Sequence, residues 1–329
     1  FCFIYTNQLP ASSVLLCKTE CLLWITAGLQ VVHVKKKLRL VMKRIITIQD
    51  ISCVGQCSLT VALPIISAMG VEAGVLPTAV LSTHTAFKGF TFRDLTSDIS
   101  PICKHWQDEK FHFDAIYTGY LGSFEQLNLM HNLIDDFGST DTLTIVDPCM
   151  ADNGNLYHGF SQEFAFAMAK LCSKANVIVP NLTEASFMLG IPYQSAGYDI
   201  EYIKKILKDL AALGCQKVVL KGIEFAENQE GLKGVVGKIG VAAYDSQTQK
   251  FSWYFHKKMP QNFHGTGDIF ASVLTGALIK NIPLEKAFAI AADFVVESIK
   301  CTLAEENYNW YGVNFEQAFP YLFKRLEKM

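Results

Sequence analysis

The strongest constraint on what this chain can fold into is an alternation. Past Met42, short apolar and β-branched runs recur: RIITIQD (44–50), EAGVLPTAVL (72–81), DAIYTGY (114–120), LTIVDP (143–148), ANVIVPN (175–181) and KVVLKG (217–222). Between them lie segments of helical period, at 56–69, 123–136, 161–173, 182–189 and 199–213. Strand, helix, strand is the repeating unit of a parallel sheet, and strands this apolar are buried on both faces. After Gly222 the pattern changes to GVVGKIGVAAYDSQTQKFSWYFHK, which reads as an antiparallel hairpin turning at 245–249. Three helices should follow, near 266–280, 283–301 and 314–328. The expected architecture is α/β: a mostly parallel central sheet with helices packed against it.

No Pro- or Ser-rich linker, internal repeat or low-complexity tract divides residues 42–329, so one domain is expected there. Residues 1–41 read differently. They contain no methionine, and the mixed apolar stretch CLLWITAGLQVVHV runs into the basic KKKLR. A secretory signal carries its positive charge before the apolar part, and a spanning helix needs about 20 apolar residues. We expect an extension outside the fold, with a membrane anchor on a basic flank as the alternative. A net charge of −2 offers no bulk attraction for nucleic acid or anionic lipid, so partners must be recognised by a site. The ten cysteines are scattered and form no disulfide framework, as expected of reduced thiols in the cytoplasm. Cys17/Cys21 and Cys53/Cys57 are the closest pairs, and neither has a second pair at zinc-site spacing.

In sheets of this kind ligands sit beyond the carboxyl ends of the strands. Polar residues gather at those ends: Gln49, Asp50, Thr78, Ser82 to Thr85, Thr118 to Tyr120, Asp147, Asn181 and Lys221. One of them alone is a turn former; the set on one edge outlines a site.

The stretch NFHGTGDIFASVLTGALI (262–279) opens a helix with glycines and places Asp268 at its mouth. Glycines there let backbone N–H groups point outward, and the helix N-terminus adds positive potential, which makes an anion site. A carboxylate beside a bound phosphate contributes nothing to holding it, but it can take the proton of an attacking hydroxyl. The simpler alternative is an acid favoured by the helix dipole. No P-loop, no dinucleotide-binding glycine motif after the first strand and no nucleophile-elbow serine is present.

HGTGDIFAS resembles the Gly-x-Gly-Asp element of the ribokinase-like sugar and vitamin kinases. VPNLTEASFMLG (179–190) is similar to their Asn-x-x-Glu segment, VVLKG to their penultimate strand and VDPCMADNGNLY (146–157) to their central Asp-Pro segment. Within that superfamily, residues 47–87 and YTGYLGS (117–123) resemble the pyridoxal kinase group most, over about residues 42–325. The resemblance implies a three-layer αβα fold and transfer of phosphate from ATP to the hydroxymethyl group of a B6 vitamer. It makes Asp268 the base and the N–H groups of Gly265, Thr266 and Gly267 the anion hole. It assigns Asp147, Asn181, Glu184, Lys221 and Gly222 to ATP, and Asp147, Asp152 and Glu184 to Mg2+, with a monovalent cation such as K+ as an option. Oxygen ligands suit Mg2+, although Asn181 and Glu184 also have the spacing of a helix capping box. Asp50, Thr78, His84 and Tyr120 match positions around the pyridine ring, and Tyr157 a tyrosine in the covering loop. A homodimer is the family's habit.

Two departures matter. The turn DISCVGQCS is short, and Asp50 stands where pyridoxal kinases usually carry serine, which tilts the expected preference towards pyridoxamine. The Gln49-Asp50 pair is also similar to hydroxymethylpyrimidine kinases of thiamine synthesis, which usually carry cysteine in place of Asp268. That pyrimidine remains the alternative acceptor, and a non-catalytic vitamer-binding protein the alternative of another class.

Overall fold

The computed structural model describes residues 42–327; the extension expected over 1–41, with Cys17 and Cys21, lies outside the described residues. The chain runs β1 (Arg44–Ser52), α1 (Leu59–Ala68), β2 (Glu72–Leu81), β3 (Phe92–Asp94), α2 (Thr96–Asp108), β4 (Ala115–Thr118), α3 (Phe124–Phe137), β5 (Leu143–Val146), β6 (Ala151–Asp152) and β7 (Asn155–Leu156). It continues with α4 (Gln162–Cys172), β8 (Val177–Ile178), α5 (Leu182–Leu189), α6 (Ile200–Ala212), β9 (Lys217–Ile223), β10 (Lys238–Asp245), β11 (Lys250–Lys257), α7 (Thr266–Ile279), α8 (Leu284–Leu303) and α9 (Phe315–Glu327).

Nine strands form one sheet in the order β11-β10-β9-β8-β5-β4-β1-β2-β3. The pairs from β2 to β9 are parallel, while β3, β10 and β11 join antiparallel at the edges. Because side chains alternate along a strand, each strand feeds two cores. Ile46, Ile48, Ile116, Val146, Val218 and Leu220 face α2 to α6. Ile45, Tyr117, Ile145, Val177 and Val219 face α1, α7, α8 and α9. The three-layer expectation is met. Helix α7 is apolar nearly all round and has ten buried residues, as a helix in the middle of a layer requires.

The chain leaves β1 for β2 on one side and later returns to β4 on the other. The cleft above β1 and β4 is therefore a topological switch point, where open α/β sheets bind ligands. Two register irregularities flank it: one in β1 between Gln49 and Ile51, at Asp50, and one that leaves Gly222 unpaired, at φ 75°, opposite Gly240/Val241. Bulges of this kind re-aim side chains beside a site.

Three expectations need correction. The strand read over 175–181 is only Val177–Ile178, since Pro180 ends the ladder and pairing resumes as a single bridge from Asn181 to Lys221. Helix α1 starts at Leu59, because Gly55, Gln56 and Ser58 have positive φ and make a loop of what looked like a first turn. Helix α2, β3 and the small β6–β7 hairpin were not legible as elements. Among the described residues no helix is long and apolar enough to cross a membrane, and the seven described cysteines are free.

Candidate active site

Helix α7 begins at Gly265, in the left-handed conformation with φ 78°. A Cβ there would lie 2.1 Å from the Gln56 carbonyl oxygen, so glycine is required both by the turn and by the approach of the β1–α1 loop. That loop docks on the helix mouth, where the Ser58 N–H donates to Asp268 Oδ2 at 3.0 Å. The first N–H groups of α7 have no partner within the helix, and the Thr266 hydroxyl donates back to the Phe263 carbonyl. Burial lifts the Asp268 pKa to about 7; Asp147 and Asp50 add to the rise, while the Ser58 N–H and Lys221 oppose it. A carboxylate so poised exchanges protons near neutrality.

Lys221 lies across from this mouth, its Nζ 3.8 Å from where a Gly267 Cβ would be. It holds Asp147 through both carboxylate oxygens, at 2.9 and 3.0 Å, in a nearly buried pair. Strand parity explains the meeting: residues 117, 147, 219 and 221 all point to the α7 face. The carboxylates of Asp147 and Glu184 keep Lys221 protonated well above its usual range, despite its burial.

Asn181 and Glu184 form a complete capping box at the start of α5. Asn181 Oδ1 accepts from the Glu184 N–H at 2.8 Å, and Glu184 Oε2 accepts from the Asn181 N–H at 2.7 Å. The pair also holds the next strand's flap. Asn181 Nδ2 donates to the Ala151 carbonyl at 2.8 Å, Glu184 Oε1 accepts from Met150 N–H at 3.3 Å, and Thr183 Oγ1 accepts from Gly154 N–H at 3.0 Å. Burial is the main cause that raises Glu184 to about 8. The flap is the β6–β7 hairpin, turning through Asn153 and Gly154, both at positive φ as a two-residue hairpin needs. Asp152 is exposed on it and its oxygens accept from the Asn153 backbone and side chain, the bonds of a turn residue.

The donor set fits Mg2+, which takes carboxylate oxygens and keeps several waters. Among the described residues no three acidic, His or Cys side chains converge on one point. Gly222 is exposed at its bulge.

On the other side of Asp268, Asp50 is 5% exposed and accepts from Ser52 Oγ at 2.9 Å; burial raises its pKa. Tyr120 lies near Asp50 and is pushed up to about 12, mainly by burial. Thr78, 1% exposed, serves from beneath: its hydroxyl donates to the Tyr120 carbonyl at 3.4 Å. His84 has its ring nitrogens committed, Nδ1 accepting from the Ala86 N–H and Nε2 lying 2.9 Å from the Tyr311 carbonyl. The tautomer is thus fixed as Nε2–H, and burial lowers its pKa. The polar contact expected of His84 is taken up internally, which leaves its ring as a wall. Tyr157, 40% exposed, follows the hairpin.

Sequence reasoning missed the aromatic side of the site. His84 packs against Phe87, His264 and Trp310 at centroid distances of 4.9, 5.0 and 6.1 Å, and Tyr120 against Phe160 at 5.7 Å. It also missed Gln126, buried, whose Nε2 donates to the Thr78 carbonyl and to Thr96 Oγ1, and Tyr117, whose fully buried hydroxyl has no partner among the described residues. These residues come together from distant segments; His264 and Tyr117 lie inside quoted motifs, HGTGDIFAS and YTGYLGS, but only packing shows their place in the cleft.

Residues 65–311 match the family described as phosphomethylpyrimidine kinase. The chain is 26% identical over 268 residues to the pyridoxine/pyridoxal/pyridoxamine kinase of Bordetella avium, spanning 78% of this chain and 85% of that one. A Bacteroides thetaiotaomicron protein assigned as a phosphomethylpyrimidine kinase, and crystallised with pyridoxal, superposes with a TM-score of 0.80 and 37% identity, over 86% of this chain and 96% of its own. The pyridoxal kinase of Lactobacillus plantarum superposes with a TM-score of 0.78 at 29% identity, over 88% and 99%.

Proposed function

The chain belongs to the phosphomethylpyrimidine kinase family, and on that premise we propose that it transfers the terminal phosphate of ATP to the hydroxymethyl group of a B6 vitamer. The observation that carries the reading is Asp268 at the N-terminus of α7, held by the Ser58 N–H and facing the Lys221–Asp147 pair. The likeness to a homologue crystallised with pyridoxal supports the acceptor class.

In this reading the vitamer ring lies at the switch point above β1 and β4, against Asp50, Tyr120 and the His84 wall. Its hydroxymethyl group reaches Asp268, which removes the proton as the oxygen attacks. The N–H groups of Gly265, Thr266 and Gly267 receive the charge that develops on the transferred group, and Lys221 lies on the phosphate side of the same space. Asn181 and Glu184 position the hairpin that carries Asp152 and leads to Tyr157, the covering residue. A magnesium ion held with ATP by Asp147, Asp152 or Glu184 would neutralise and orient the phosphates; a monovalent cation such as K+ is an option at the same site. We place the enzyme in the cytoplasm as a homodimer; a monomer mass in sedimentation would remove the second statement.

The family's description favours a second acceptor, a hydroxymethylpyrimidine, through the same machinery. Incubation of the full chain with ATP and each vitamer or hydroxymethylpyrimidine in turn, followed by mass spectrometry, tests the main reading. One phosphate added to a vitamer at its hydroxymethyl oxygen is expected; phosphorylation of the pyrimidine alone would move the protein to the second reading.

A further inference from the structure

The acceptor side of the cleft carries an unusual charge balance. Asp50 is 5% exposed, and Ser52 Oγ donates to only one of its oxygens, Oδ2. Its side-chain hydrogen-bond partners, the hydroxyls of Ser58 and Ser52, are both neutral. The groups that act on this carboxylate are Ser58, Ser52 and His84, and it in turn acts on Cys57, Tyr120 and Asp268. No lysine or arginine is among them. His84 is neutral, with its Nε2–H committed to the Tyr311 carbonyl and its Nδ1 to the Ala86 N–H. The cation that acts on Asp268 is Lys221, which Asp147 holds through both oxygens on the phosphate side. Two carboxylates thus flank the acceptor space with no protein cation to balance them. Burial raises both, as uncompensated acids must be raised.

We propose that Asp50 is a specificity-determining residue that selects an acceptor bearing a cationic amine next to its hydroxymethyl group, so that pyridoxamine is the preferred vitamer. The inference rests on the B6 reading above. In these vitamers the variable substituent and the phosphorylated hydroxymethyl group are neighbours on the ring. A hydroxymethyl held at Asp268 therefore puts the neighbouring substituent beside the other carboxylate. Pyridoxamine carries an ammonium there, pyridoxine a hydroxymethyl group of nearly the same size, and pyridoxal an aldehyde. An ammonium against Oδ1 supplies the missing charge and a charge-assisted hydrogen bond, whereas the other two leave a buried carboxylate uncompensated. The bulge in β1 is what turns Asp50 into the cleft.

The test is kcat/KM for pyridoxamine, pyridoxine and pyridoxal at pH 7, in wild type, Asp50→Asn and Asp50→Ser. Wild type should favour pyridoxamine over pyridoxine by about tenfold or more, the effect of one desolvated charge pair. In both variants the ratio of pyridoxamine to pyridoxine should fall by that factor, whatever the loss common to all three vitamers. Equal losses on all three vitamers would make Asp50 a loop anchor through Ser52 and overturn the inference. Should the variants fail to fold, the wild-type ratio decides by itself, since the two ligands differ in charge at nearly constant shape; a ratio of one or below overturns the proposal. If no vitamer is turned over, the B6 reading fails on its own account, and calorimetric binding of the same two ligands still reads the charge preference.

Discussion

Asp268 ties the chemistry to a cost in stability. The folded chain holds a proton there up to a pH of about 7, whereas the ordinary value is 3.8. Between those values the folded state binds more protons than the unfolded one, so stability declines as pH rises through about 4 to about 7, and the full cost remains above 7. Asp268→Asn removes the charge and keeps an acceptor for the Ser58 N–H. Its melting temperature should exceed the wild type's at pH 8, with the gap closing as pH falls towards 4. Phosphate transfer should drop by about a hundredfold to ten-thousandfold. A variant less stable than wild type at pH 8 would contradict the buried-acid account. Lys221 and Asp147 make the converse case. Lys221→Met leaves a buried carboxylate unpaired and should cost about 3 to 5 kcal/mol in urea unfolding. Adding Asp147→Leu should restore most of the stability and none of the activity; a double variant no more stable than Lys221→Met would show that the pair is not coupled. These residues were legible because each sits near a strand's carboxyl end or behind a glycine turn. His84 was legible in place but not in use, since nothing in LSTHTAF shows that both ring nitrogens are spoken for. Trp310, Phe87 and Gln126 were not legible, because only packing brings them to the cleft, and His264 was visible only as a neighbour of the glycine turn.

At the scale of elements, the fold was readable wherever burial imposed a period. Helices α3, α4, α5 and α6 and strands β1, β2 and β9 came through within a few residues of their observed ends. Helix α2 did not: Ile99, Ile102, Cys103 and Trp106 follow helical spacing, but only Ile99 is fully buried and Pro101 interrupts the run. Strands β6 and β7 have two residues each and are marked only by Asn153 and Gly154. The start of α7 is the element boundary on which function depends most. Gly265→Ala brings a Cβ against the Gln56 carbonyl and forces a left-handed φ, which should cost about 1 to 3 kcal/mol. It should also lower kcat, because the β1–α1 loop and the base move together. Wild-type turnover in that variant would show that the loop yields without disturbing Asp268.

For the whole molecule, the described residues from Met42 carry both cores, the nine-stranded sheet and every candidate site residue. We propose that residues 1–41 lie outside the kinase fold, so a chain beginning at Met42 should match the full chain's melting temperature and its kcat/KM within about twofold. Loss of folding in the shorter chain would make the extension part of the domain. The central claim is that an α/β sheet's switch point and one buried acid make this chain a B6 vitamer kinase. ATP-dependent phosphate transfer by the full chain to pyridoxal, pyridoxine, pyridoxamine and hydroxymethylpyrimidine, with Asp268→Asn alongside, tests it most directly. The account predicts transfer to a B6 vitamer in preference to the pyrimidine, lowered by about a hundredfold or more in the variant; preference for the pyrimidine, or transfer near the wild-type rate in Asp268→Asn, would contradict it.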